Sequence, residues 1–195
     1  MVDDQVLSGA REVLVVCDGN TCRSPTLMLL LRYRAKQLGL ALSMHIESAG
    51  LGESAANGDP MRKVAQRAAA QATRLLNTGI GAASINANAL AALRKEAMQH
   101  SSRQVAVDDE SLRIGTLLCL LKREALAKLD PDGVLKKIES MIWLPKGDRG
   151  YWMLRQRGWD ESDPDVVDAY RTQAEELAEL VTTKLSGIFR GRQAP

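Results

Sequence analysis

Aromatic side chains are scarce in this chain. Phenylalanine, tryptophan and tyrosine make up 4% of its 195 residues, so a pocket that must stack on a ring has few side chains to draw on. No apolar run reaches the roughly 18 to 20 residues needed to cross a bilayer, and a soluble protein is expected. Histidine occurs only as His45 and His100, a thin supply of imidazole for a metal centre. Three cysteines without a signal peptide point to a reducing, cytoplasmic setting rather than a disulfide framework. A net charge of +2 with bases interspersed among acids favours neither nucleic acid nor a membrane surface as a partner.

What is present fits one domain over residues 1–195, since 45% hydrophobic content at this length supports a sizeable core. The basic stretch around Ile188-Phe189-Arg190-Gly191-Arg192 makes 187–195 a flexible, solvated tail. Apolar patterning predicts strands near 12–17, 43–49, 114–121 and 138–144. Helices are expected near 24–38, 59–76, 85–99, 122–129 and 164–186. Such alternation argues an α/β fold, a parallel sheet with right-handed crossovers and helices on both faces. Ligands of such sheets bind at the carboxyl ends of the strands. Cys119, inside Thr116-Leu117-Leu118-Cys119-Leu120-Leu121, reads as a small core residue.

One such end carries Cys17-Asp18-Gly19-Asn20-Thr21-Cys22-Arg23-Ser24-Pro25, directly after the buried run Val13-Leu14-Val15-Val16. Gly19 and Asn20 tolerate left-handed backbone angles, so the loop can curl until its amides converge on an oxyanion. Ser24 suits the N-cap and Pro25 the first position of a following helix, whose positive end then faces the same point. In that field the Cys17 thiol is expected to ionise below its reference value of about 8.5. The Arg23 guanidinium can hold two phosphate oxygens in parallel.

Val16-Cys17-x-Gly19-Asn20-x-Cys22-Arg23-Ser24-Pro25 resembles the signature of the low-molecular-weight protein tyrosine phosphatases. Ser48-Ala49-Gly50, His100-Ser101-Ser102-Arg103-Gln104 and Asp163-Pro164 resemble later family segments in family order, over about residues 11 to 186. The resemblance implies a flavodoxin-like sheet of order 2-1-3-4, and hydrolysis of protein phosphomonoesters, phosphotyrosine foremost, through a cysteinyl-phosphate. Cys17 would be the nucleophile, Arg23 the transition-state cation and Asp163 the general acid, its pKa raised beside thiolate and phosphate. Asp18, Gly19, Asn20, Thr21, Cys22 and Ser24 would cradle the phosphate, Ser24 also donating to the thiolate. Asn20 and Ser48 would hold the loop's turn. With Arg23 and the amides stabilising charge, no metal or other cofactor is called for, and the partner is a phosphoprotein substrate. Cys22 would lie near enough to Cys17 for a protective disulfide, or be a small packed residue. His100 reads as structural.

The departures concern specificity. Between Ser48 and Asp59 the family commonly places an aromatic wall, whereas Leu51-Gly52-Glu53-Ser54-Ala55-Ala56-Asn57 has none. Trp143, Trp152, Trp159 or Tyr151 would have to replace it. The segment 62–99 is longer than the family's and reads as an alanine-rich helical pair turning at Gly79-Ile80-Gly81, serving as packing, lid or dimer face. Thr21 resembles the arginine phosphatase variant, and Asp18 at the rim could favour a guanidinium, so phosphoarginine is the alternative substrate. A non-catalytic phosphate-binding module, a Cys17/Cys22 redox sensor and an arsenate reductase complete the rivals. The last would need a cysteine pair where only Cys119 stands.

Overall fold

Val13, Val15 and Val16 are β-branched and buried, and they form the centre of β1 (Arg11–Cys17) in the computed structural model of the chain. The structure describes residues 11–78, 87–113, 115–138, 141–143 and 149–189. Beside β1 lie β2 (Met44–Gly50), β3 (Thr116–Cys119) and β4 (Met141–Trp143). All pairings are parallel, and the order is β2-β1-β3-β4. This is the flavodoxin-like arrangement expected. Cys17 pairs with Gly50 and Val16 with Cys119, so β2, β1 and β3 end together at one rim.

Alternation along β1 divides the core. Val13, Val15 and Cys17 face a large cluster built with α1 (Arg23–Gln37), α2 (Lys63–Thr78) and α6 (Pro164–Glu179). Leu14 and Val16 face a smaller one with Leu117, Cys119, Leu126 and Leu135, covered by α4 (Arg123–Leu129). Helices therefore lie on both faces, as the strand–helix alternation requires. Also present are α3 (Ala87–Gln99), α5 (Arg149–Gln156) and the short α7 (Ser186–Phe189).

In the expanded segment, α2 buries Val64, Ala65, Ala68, Ala69, Ala72 and Leu76, a stripe at helical spacing. That face packs on α6 and α1. Small side chains permit the close approach, which makes α2 part of the core. The turn expected at Gly79-Ile80-Gly81 lies outside the described residues.

Three expectations need correction. The last helix does not run unbroken to 186: Pro164–Glu179 is α-helical and Leu180–Lys184 a π-helical turn, with Leu180, Val181 and Leu185 still buried in the same core. The tail does not begin at 187, because Ile188 is buried and its carbonyl accepts from the Arg11 guanidinium; residues 190–195 lie outside the described residues. Finally, α5 lies outside the expected helices. Its eight residues are too few for a clear apolar period, and Gly150 packs flat on the Tyr170 ring, where a Cβ would come within 2.8 Å.

Gly50 sits where β2 backs the loop after β1. Its N–H donates to Arg103 O and its carbonyl accepts from Val105, at 2.9 Å each. A Cβ there would collide with the Asp18 carbonyl oxygen and the Ala55 side chain, both fixed by surrounding structure. Gly50→Ala is expected to cost about 3 kcal/mol, at the upper end of overpacking effects, read as a fall in the denaturation midpoint at unchanged denaturant slope.

Candidate active site

The chain leaves β1 at Cys17 and enters α1 only six residues later, so the intervening backbone must turn sharply. Asn20 supplies the turn by adopting φ 50°, in the left-handed region that asparagine tolerates better than most residues. Gly19, expected to share this task, does not take a positive φ. Asn20 is completely buried and its polar atoms are matched: Nδ2 donates to Ser48 O at 3.3 Å, Oδ1 accepts from the Ser24 hydroxyl at 2.9 Å, and its carbonyl meets His100 Nε2 at 2.8 Å. The Cys17 Sγ lies 3.0 Å from Ser24 Oγ.

The helix begins two residues earlier than the sequence implies. Arg23 is its first residue and Cys22 its cap, with Ser24 and Pro25 inside the first turn. Ser24 is thus no N-cap, since its hydroxyl is engaged by Asn20 and Cys17. Proline is tolerated there because no first-turn N–H has an intrahelical acceptor. Ser48 meets Asn20 through its main chain. Its backbone carbonyl, not its hydroxyl, holds Asn20 and accepts from Arg103 Nε at 3.2 Å; Ser48 Oγ has no partner among the described residues.

A cavity of about 1110 Å³ opens over this loop. Cys17, Asp18, Gly19, Thr21, Cys22 and Arg23 line it. Asn20 and Ser24 lie behind as buried supports. Arg23 Nη1 donates to Leu120 O at 3.0 Å, which carries its side chain along the rim of β3. Asp163 stands apart. Its carboxylate accepts from Asp165 N at 2.8 Å as the N-cap of α6, with Arg157 Nε 3.8 Å away, and it is not among the lining residues.

Several lining residues carried no motif. Tyr170 reaches in from α6 and its hydroxyl lies 3.4 Å from Cys22 Sγ. Burial raises both groups above their ordinary values, the pair reinforcing this for Tyr170 and partly relieving it for Cys22. Glu161, Arg62, Trp159 and Tyr151 form another side. Arg62 pairs with Glu161 at 3.0 Å, and its backbone N–H donates to Thr21 O at 3.1 Å. All three cysteines are free and buried. Cys119 is pushed up to about 11 by burial, in keeping with a core thiol.

The family model for low molecular weight phosphotyrosine protein phosphatase matches residues 12–129, more than half of the chain. A comparison with curated proteins finds no match. Among solved structures, a YwlE mutant from Bacillus subtilis aligns with TM-score 0.58 and 20% identity over 93% of this chain and 100% of its own. A low molecular weight protein tyrosine phosphatase from T. tengcongensis aligns with TM-score 0.59 and 18% identity over 91% and 99%. A YwlE arginine phosphatase mutant with a phosphorylated active-site serine aligns with TM-score 0.56 and 19% identity over 93% and 98%. At such identities the likeness is one of fold.

His100 ties the loop to the chain after α3, and its pKa is lowered, chiefly by burial and further by Arg32. The unfolded chain then binds the proton more readily, so stability should fall as pH drops from about 7 toward 5, through the unfolded value near 6.5. His100→Asn should flatten that part of a denaturant-midpoint profile, while the loss at lower pH from carboxylates such as Glu96, held down by Lys36 and Arg32 against its burial, persists.

Proposed function

Because the chain belongs to the low molecular weight phosphotyrosine protein phosphatase family, we propose that it hydrolyses phosphomonoesters on protein, phosphotyrosine foremost, through a phosphocysteine on Cys17. The observation that carries this reading is the 3.0 Å contact between Cys17 Sγ and Ser24 Oγ at the amino end of α1, beneath an open cavity.

Ser24 has one hydroxyl proton and two close neighbours that want it, Asn20 Oδ1 and Cys17 Sγ, with Ala49 O farther off at 3.4 Å. With a neutral thiol, Cys17 donates to Ser24 and Ser24 to Asn20. With a thiolate, Ser24 turns its proton to sulfur. The first turn of α1 adds the positive end of its dipole. In the proposed step sulfur attacks phosphorus, the S–P bond forms and the ester P–O bond breaks. Arg23 and the loop amides hold the three equatorial oxygens. Water then attacks the phosphocysteine, giving a proton to the carboxylate that acted as acid, and phosphate leaves as the thiolate is restored.

The proton for the leaving oxygen is assigned to Asp163. Its rival is Glu161, which lines the cavity but is committed twice, to Arg62 at 3.0 Å and to Val64 N at 3.2 Å. Asp163 gives up one capping bond, worth about 1 kcal/mol, and a long 3.8 Å pairing with Arg157, to swing toward the substrate.

The second reading, phosphoarginine, draws on Thr21 lining the cavity beside Asp18. Matched phosphotyrosine and phosphoarginine peptides separate the two, with the former expected to turn over faster.

Metal-free hydrolysis of p-nitrophenyl phosphate in reductant is the direct test. Cys17→Ser should remove turnover at least about a thousandfold, and Arg23→Lys about a hundredfold. Absence of wild-type turnover by folded protein would instead favour the phosphate-binding or redox readings. Asp163→Asn should cost about a hundredfold or more on phenyl phosphate and far less on p-nitrophenyl phosphate, whose leaving group needs no proton. Equal effects on both would move the acid elsewhere, Glu161→Gln being the next variant.

A further inference from the structure

Trp159 is the most unusual residue of the cavity. It follows Gly158, and both adopt left-handed backbone angles, φ 63° and φ 69°. Glycine does so freely, whereas a bulky aromatic residue is a genuine outlier there. The turn ends α5, with Trp159 N–H donating to Leu154 O at 2.8 Å. A buried, tightly packed ring could explain such a conformation, but Trp159 is 46% exposed and lines the cavity. Backbone strain retained at an exposed ring beside a candidate site points to use of the ring rather than to packing.

The ring is also held in orientation. Tyr151 meets it edge-on, centroids 5.6 Å apart at 77°. The Arg62 guanidinium sits 4.8 Å from its centroid and is fixed by Glu161, while the Arg62 backbone bonds the Thr21 carbonyl of the loop that carries Cys17. One run of contacts therefore joins the Trp159 ring to the loop. Tyr151 lines the cavity as well.

We propose that Trp159, braced by Tyr151 and Arg62, is the specificity wall of the site and selects aryl over alkyl phosphomonoesters. A phenolic ring whose phosphate rests in the loop would stack against the indole. The corner between α5 and α6 thereby supplies the aromatic surface that the Leu51–Asn57 segment lacks. This rests on the phosphatase reading and adds to it the residue that sets the preference for aryl esters.

The test compares binding of phenylphosphonate and inorganic phosphate to wild type, Trp159→Ala and Trp159→Phe, alongside p-nitrophenyl phosphate turnover. Phosphate affinity should be unchanged in both variants. The preference for phenylphosphonate should fall about tenfold in Trp159→Ala and be largely kept in Trp159→Phe. Equal weakening of both ligands, or no change in either, overturns the wall. Wild type that binds phenylphosphonate by Trp159 but hydrolyses nothing would sink the phosphatase reading and leave the wall standing. Trp159→Gly removes the same ring as Trp159→Ala while relaxing the backbone, so it should melt at a higher temperature. Equal melting would overturn the strain on which the assignment rests.

Discussion

Everything at the strand rim depends on one buried asparagine. Asn20 has no exposed surface, holds a left-handed angle, and matches its polar atoms to Ser24, Ser48 and His100. Leaving one such buried group unpaired costs about 1–3 kcal/mol, so the turn is stable only while all three neighbours are in place. Each comes from a different element: Ser24 from α1, Ser48 from β2 and His100 from the segment after α3. The loop's curvature is therefore a tertiary property, set by how helices and sheet meet.

The helix behind the loop is equally constrained. From Ser24 through Leu31 every residue of α1 is buried, beneath α2, α6 and the sheet. A helix enclosed in this way does not shift to follow a ligand, and its amino end keeps one direction. A fixed dipole and fixed amides need no reorganisation as charge develops, the condition under which electrostatic stabilisation is most effective. The alanine stripe of α2 contributes by letting α6 approach closely, which brings Tyr170 against Cys22.

The sheet was legible because its signal is local. Continuous apolar runs mark strands buried on both faces, and the alternation with helices fixes parallel pairing. Strand ends were less so: β3 ends at Cys119 although apolar residues continue through Leu121, because pairing with β4 stops there while burial does not. Loop residues from Cys17 to Arg23 were legible from composition and resemblance. Arg62, Trp159 and Glu161 were not legible as a group, because the partners are about a hundred residues apart in sequence and meet only through the packing of α2 on α6. Ser48 shows a further limit. The loop uses its carbonyl, which any residue would supply, so side-chain identity held no information about that contact.

Asn20 and Trp159 are the two non-glycine residues with positive φ among the described residues, and they lie in two segments that both line the cavity. For Asn20 the cost is small, since its side chain bonds its surroundings and asparagine suits the region. Trp159 has no such relief, and a left-handed angle in a bulky residue costs on the order of 1–3 kcal/mol. Where total stability is typically about 5–15 kcal/mol, that is a substantial fraction to hold in an exposed surface turn. Gly158 already provides a left-handed turn at the end of α5, and a second glycine would continue it without strain. The indole adds its edge contact with Tyr151 and its place over Arg62, both directed at the cavity rather than the core. Strain concentrated on the two segments that frame one opening ties the architecture of the rim to the ligand it admits.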